Sequence, residues 1–114
     1  MLFHTGHGKL WMKNNAEYNK GSPGPGVRVA RWLIDRKICL VAGDTWSVEA
    51  VPGEDKDRPF ECHQWWITMN GIYIHENLDL EPLAADRMYE FAYVFSPLRL
   101  KGATGSPGNP IAVT

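Results

Sequence analysis

Residues 38–44, Ile-Cys-Leu-Val-Ala-Gly-Asp, constrain the fold more than any other stretch of the chain. Five consecutive apolar or small residues, closed by Gly43 and Asp44, leave no polar face to turn toward water. Such a run belongs to a strand covered on both sides, as in parallel α/β sheets. Just before it, Val27, Ala30, Trp32, Leu33 and Ile34 recur near helical spacing, and Asp35, Arg36 and Lys37 close the segment. Helix followed by buried strand is one αβ unit, so the expected class is α/β.

The other segments fit around this unit. Met1–Thr5 reads as a short strand. Residues 8–26 are polar and broken by Gly and Pro, and read as loop with one turn of helix. A long loop, charged in its middle, follows from Thr45 to Phe60. Residues 61–70 read as helix, 72–76 as strand and 79–86 as a short helix or turn. The alternation in Met88–Leu100 predicts a long strand, and the tail ends in a possible final strand. The Gly-rich runs 21–26 and 102–108 carry neither a phosphate-loop Lys-Ser/Thr nor a dinucleotide GxGxxG, so they read as tight turns or close backbone approaches.

Composition bounds what the chain can serve. Its 114 residues suit one domain, 1–114, with one modest core. Twelve basic residues against thirteen acidic ones give a net charge of −1 and no basic stripe, so neither nucleic acid nor an anionic membrane is an expected partner. No apolar run approaches the roughly 20 residues that span a bilayer. Cys39 and Cys62 form no CxxC pattern and read as buried thiols in a reducing cytoplasm.

The chemistry centres on His63 and Glu76, thirteen positions apart. A helix over 61–70 rises about 14 Å, and five strand residues at about 3.3 Å each return a similar distance after Gly71. The start of the helix and the end of the strand therefore meet. Alternation puts Glu76 on the face of Ile72 and Ile74, and His75 on the face of Tyr73. A carboxylate at the edge of a core needs a cation or a metal. Spacing alone favours the ordinary alternative, a capping histidine and a rim glutamate joined by nothing. His4 and His7 stand three apart with Gly6 between them, and do not read as a chelating pair. Trp46, Trp65 and Trp66 are candidates for an aromatic pocket or for the core.

Three stretches, Gly43–Glu54, His63–Ala84 and Tyr89–Val113, together resemble the cyclase family of metal-dependent hydrolases, which includes kynurenine formamidase and isatin hydrolase. The likeness runs in order from about Leu2 to Val113. It implies a partial mixed β-sheet or barrel with flanking helices, like the C-terminal half of that fold, and a divalent metal, zinc or manganese, at its mouth. It also implies hydrolysis of a C–N bond in a small-molecule amide, formamide or lactam by metal-activated water. His63 matches the family's late histidine, a metal ligand or a catalytic water-orienting group, and Glu76 matches the glutamate that completes the metal shell. Trp46 and Trp65 are the substrate-binding candidates. The family's His-x-Gly-Thr-His-x-Asp metal run has no counterpart here. The chain therefore reads as truncated at its N-terminus. Two readings follow: part of an arylformamidase-like enzyme, or an inactive cyclase-like module that folds as a homo-oligomer through open sheet edges.

Overall fold

A computed structural model describes all residues, Met1–Thr114. The chain forms two compact units, Met1–Glu81 and Pro82–Thr114.

The first unit is organised by the strand that the apolar run predicts. Strand β2 (Leu40–Gly43) lies between β1 (Leu2–Phe3) and β3 (Tyr73–His75), parallel to both. Leu2 pairs with Ala42 on one side, and Val41 pairs with Ile74 on the other. With both edges paired and both faces covered, Val41 and Ala42 are completely buried. This is why the segment alternates nothing. Helix α1 (Asn15–Tyr18) is a single turn capped by the Asn14 side chain, which accepts from the Glu17 N–H at 3.2 Å.

Helix α2 (Val27–Asp35) turns Ala30 and Leu33 into the core, where they meet Val41, Val48, Cys62, Trp66 and Ile72. Burial of a leucine such as Leu33 contributes roughly 2 kcal/mol. Its first residue follows Gly26, which has no side chain to cap it, so the Val27 N–H donates to the Glu54 carboxylate at 3.0 Å.

The segment after Phe60 begins as an α-helical turn, α3 (Glu61–His63), and widens into a π-helical turn, Gln64–Thr68. Carbonyls freed by the wider turn are taken up locally. The Asn70 side-chain amide donates to the Trp65 carbonyl at 2.7 Å, and the Ile72 N–H donates to that of Trp66 at 2.8 Å. Gly71, at φ +64°, reverses the chain into β3. Trp66 is fully buried at the centre of the core.

The second unit carries a short helix, α4, which begins at the unit boundary (Glu81–Ala85), and an antiparallel pair, β4 (Ala92–Val94) and β5 (Ile111–Val113). The long strand expected over 88–100 is therefore three residues long. A ladder extends only as far as its partner, and Pro97 and Pro110 lack the N–H groups to continue it. A second correction concerns Cys39, which is exposed rather than buried: its neighbour Ile38 packs against the core, and alternation along the extended chain puts Cys39 on the other face. Cys62 is buried as expected.

The Gly-rich run 21–26 is a docking edge for another loop. Ser22 and Val51 bridge through N–H donations of 2.9 and 2.8 Å. A Cβ at Gly21 would stand 2.6 Å from the Val51 carbonyl oxygen, and one at Gly24 would overlap the Val48 carbonyl. Gly24→Ala should thus destabilise the fold by roughly 3 kcal/mol. Gly53→Ala, where nothing lies within 4 Å, should stay within about 0.5 kcal/mol of the parent. Urea denaturation midpoints of the two variants check this.

Candidate functional site

The carboxyl ends of three parallel strands come together, and ligands in open α/β sheets bind at such ends. After β1 come His4 and Thr5, after β2 comes Asp44, and after β3 come Glu76 and Asn77. Asp44 organises this end. Its carboxylate accepts from the Thr5 N–H at 2.9 Å, the Thr5 hydroxyl at 2.7 Å and the Gly6 N–H at 2.7 Å. Burial pushes its pKa up, but bonds from Thr5, Gly6 and Gly8 outweigh this and hold it below the usual value.

The loop after β2 then places a second buried carboxylate, Glu49. The Val48 N–H donates to the Thr45 hydroxyl at 3.1 Å, and the Ser47 hydroxyl donates to the Glu49 carbonyl at 2.7 Å. Val48 sits at φ +60°, an outlying conformation for a β-branched residue. The side chain of Glu49, only 3% exposed, reaches the start of α3 and accepts the N–H groups of Cys62 and His63, each at 3.0 Å. Phe60, the residue before that helix, has φ +54° and offers no cap. Glu49 supplies the missing acceptor from fourteen residues away.

The same carboxylate bonds the His63 ring at Nδ1. The other ring nitrogen, Nε2, lies 3.3 Å from Glu76 Oε1. Helix start and strand end thus meet as the chain geometry requires, and the two residues are bonded rather than independent. Ile72 and Ile74 pack in or against the core while Tyr73 is 62% exposed, in keeping with the alternation that puts Glu76 at the core's edge. Burial alone would lower the His63 pKa, but the bonds to Glu49 and Glu76 outweigh it and carry the imidazole up to about 9. Glu49 is shifted down: burial would raise it, and the His63 ring and the two backbone donors prevail.

Sequence reasoning singled out His63 and Glu76 and passed over Glu49, which it placed in an unassigned loop. The signal was present as a lone acid between apolar residues in Val48-Glu49-Ala50-Val51. Trp46 approaches the site through Phe60, which makes an edge contact with Trp46 at 6.2 Å and with His63 at 5.5 Å. Trp65 does not join them; its indole N–H donates to Glu61 at 3.3 Å and Arg31 lies over its ring at 4.7 Å. His4 and His7 go to separate partners, Glu81 at 2.7 Å and the Tyr18 carbonyl at 3.1 Å.

A cavity of about 400 Å³ opens at these strand ends, lined by Trp11, Tyr18, Asp44, Asn77, Leu78 and Leu80 among others. The Tyr18 hydroxyl donates to Asn77, the neighbour of Glu76. Burial, and then the negative charges of Asp44 and Glu76, raise its pKa and keep it a donor.

Whether a metal fits can be tested on the donor geometry. Two ligands bound at about 2.0–2.1 Å with a tetrahedral angle stand about 3.3–3.4 Å apart. Nε2 of His63 and Oε1 of Glu76 stand 3.3 Å apart. They fit one edge of such a site. No group of three or more His, Cys, Asp or Glu side chains in the chain is arranged so that all could hold one metal ion; Glu49 lies on the far side of the His63 ring, at Nδ1.

Fold and site together define an α/β protein with a carboxylate–imidazole–carboxylate array at the carboxyl ends of a parallel sheet. The sequence model of the Cyclase family ("Putative cyclase") matches residues 1–50. The crystal structure of a novel cyclase superposes on 99% of the chain with a TM-score of 0.75 and 27% identity. No curated protein sequence matches. The chain is thus similar to the cyclase family in sequence over its first 50 residues, and to a solved cyclase in fold over nearly its whole length. It spans 39% of the length of that solved cyclase.

The raised His63 pKa has a measurable consequence in chelator-treated protein. Between pH 6.5 and about 9 the folded chain keeps a proton that the unfolded chain has released. Its contribution is fully present below pH 6.5 and is lost as pH rises through about 9. The loss should be on the order of 3 kcal/mol. Depressed Glu49 acts in the opposite sense, losing its contribution as pH falls below its ordinary 4.5. Denaturant unfolding across pH checks this, and His63→Gln should flatten the alkaline slope.

Proposed function

We propose that His63 and Glu76 are ligands in a divalent-metal site, zinc or manganese, of a hydrolase acting on the C–N bond of a formamide or cyclic amide. The observation that carries this reading is the 3.3 Å separation of Nε2 and Oε1, which matches one edge of a metal coordination shell. The likeness to the cyclase family supports the class of chemistry. The bound metal would supply a water acidified enough to attack a carbonyl near neutral pH. This chain's residues hold and arrange. His63 and Glu76 offer donors from a rigid helix start and a strand end, and Tyr18 keeps a hydroxyl proton at the wall of the adjoining cavity. The cavity takes a small molecule against Trp11, Leu78 and Leu80.

A catalytic site uses three protein ligands and an open position. His63 and Glu76 provide two, so on this reading turnover depends on donors from another polypeptide segment. Zinc or manganese titrated into the chain should bind weakly, and His63→Ala or Glu76→Ala should abolish that binding. A wild-type chain that binds neither ion, or variants that bind as well as the parent, would overturn the ligand assignment. Assays with N-formylkynurenine and isatin should show no turnover by the chain alone.

A second reading, an assembly module without turnover of its own, is favoured by one observation. The outer strands β1 and β3 each pair on one side only, with Tyr73 exposed on β3. Open edges of this kind pair with further strands. Sedimentation velocity at micromolar concentration should then show a dimer or larger species; a stable monomer would count against it.

A further inference from the structure

We propose that Glu49 is the positioning residue of this site: it decides which nitrogen of His63 faces Glu76. This inference rests on the reading of His63 and Glu76 as metal ligands. An imidazole can bind a metal only through a nitrogen that carries no hydrogen, and the bond made by its other nitrogen selects which one that is. Here both ring nitrogens have carboxylate neighbours, so the choice is a contest between Glu49 and Glu76. Glu49 holds every advantage. It is 3% exposed where Glu76 is 38% exposed, and a dry carboxylate attracts a hydrogen more strongly than a wet one. Its contact to Nδ1 is closer than the 3.3 Å contact of Glu76 to Nε2.

Its own direction is also fixed. Oε1 accepts the His63 N–H and Oε2 accepts the Cys62 N–H, so the carboxylate cannot swing with the ring. Behind it, Val48 is held at positive φ against Gly24. The hydrogen of a neutral His63 therefore lies on Nδ1, and the Nε2 lone pair points at the Glu76 side. A carboxylate that merely capped the helix would need only the two backbone bonds. The third, to the ring, is what this proposal explains.

Glu49→Gln separates the two roles. Its amide oxygen can still accept at the helix start, but the charge that draws the Nδ1 hydrogen is gone, and its amide hydrogens oppose the Cys62 N–H. The first readout needs no metal: nitrogen-15 NMR of His63 at a pH where the ring is neutral. The parent should show the Nδ1–H form, and Glu49→Gln should shift toward Nε2–H. The second readout is zinc affinity, corrected with His63→Ala, which should fall about 10- to 100-fold in Glu49→Gln. If that variant does not fold, Glu49→Asp, one methylene shorter, carries both measurements and should shift each in the same direction. A parent in the Nε2–H form, or a folded variant with unchanged tautomer and unchanged zinc affinity, overturns the proposal. A parent that binds no zinc but holds the Nδ1–H form sinks the ligand reading and leaves the orientation by Glu49 standing.

Discussion

The first unit depends on one buried carboxylate. Glu49 lies where three requirements coincide: the loop after β2 must end, the helix beginning at Glu61 must be capped, and the His63 ring must be held. A lone carboxylate in that position would cost several kcal/mol in lost hydration. Two backbone donors and an imidazole offset that cost, and they do so only if loop, helix start and ring are all in place. The site geometry and the local fold are therefore one problem. Glu54 repeats the device on a smaller scale for α2, and so the loop from Thr45 to Phe60 caps two helices that follow glycine or a left-handed phenylalanine.

How far the sequence disclosed this depends on whether the cause was local. The β2 run and the α2 periodicity are local patterns, and both elements stand where they were expected. The meeting of His63 and Glu76 was also legible, because a helix and a strand joined by Gly71 have lengths that can be compared. Glu49 was not legible. Its role comes from a contact across a loop, and no period or spacing marks it. The shortened β4 had a similar cause: alternation describes one strand, whereas a ladder needs two, and the partner supplies three residues. Cys39 is exposed because an apolar run does not bury every member: Ile38 packs against the core, and the next side chain along the extended chain falls on the other face.

The likeness to a solved cyclase over 39% of its length puts the residues in a useful light. Everything that orients the His63–Glu76 edge is internal to residues 1–81: the cap, the loop strain at Val48, the Asp44 turn and the parallel strands. Orientation of these two donors and completion of a coordination shell are separable in the chain. The first is built by short-range contacts within one compact unit, and the second needs groups that this unit does not bring together.

The glycines at 21, 24 and 26 each face the same stretch, at Val51, Val48 and Glu54 respectively. Two loops far apart in the chain are thus shaped as a die and its casting. The side-chain-free run is a negative imprint of the carbonyls and carboxylate opposite it. Variation in either loop is then heritable only when the other accommodates it. Grafting the Glu49 loop into another scaffold would require transplanting the glycine run with it.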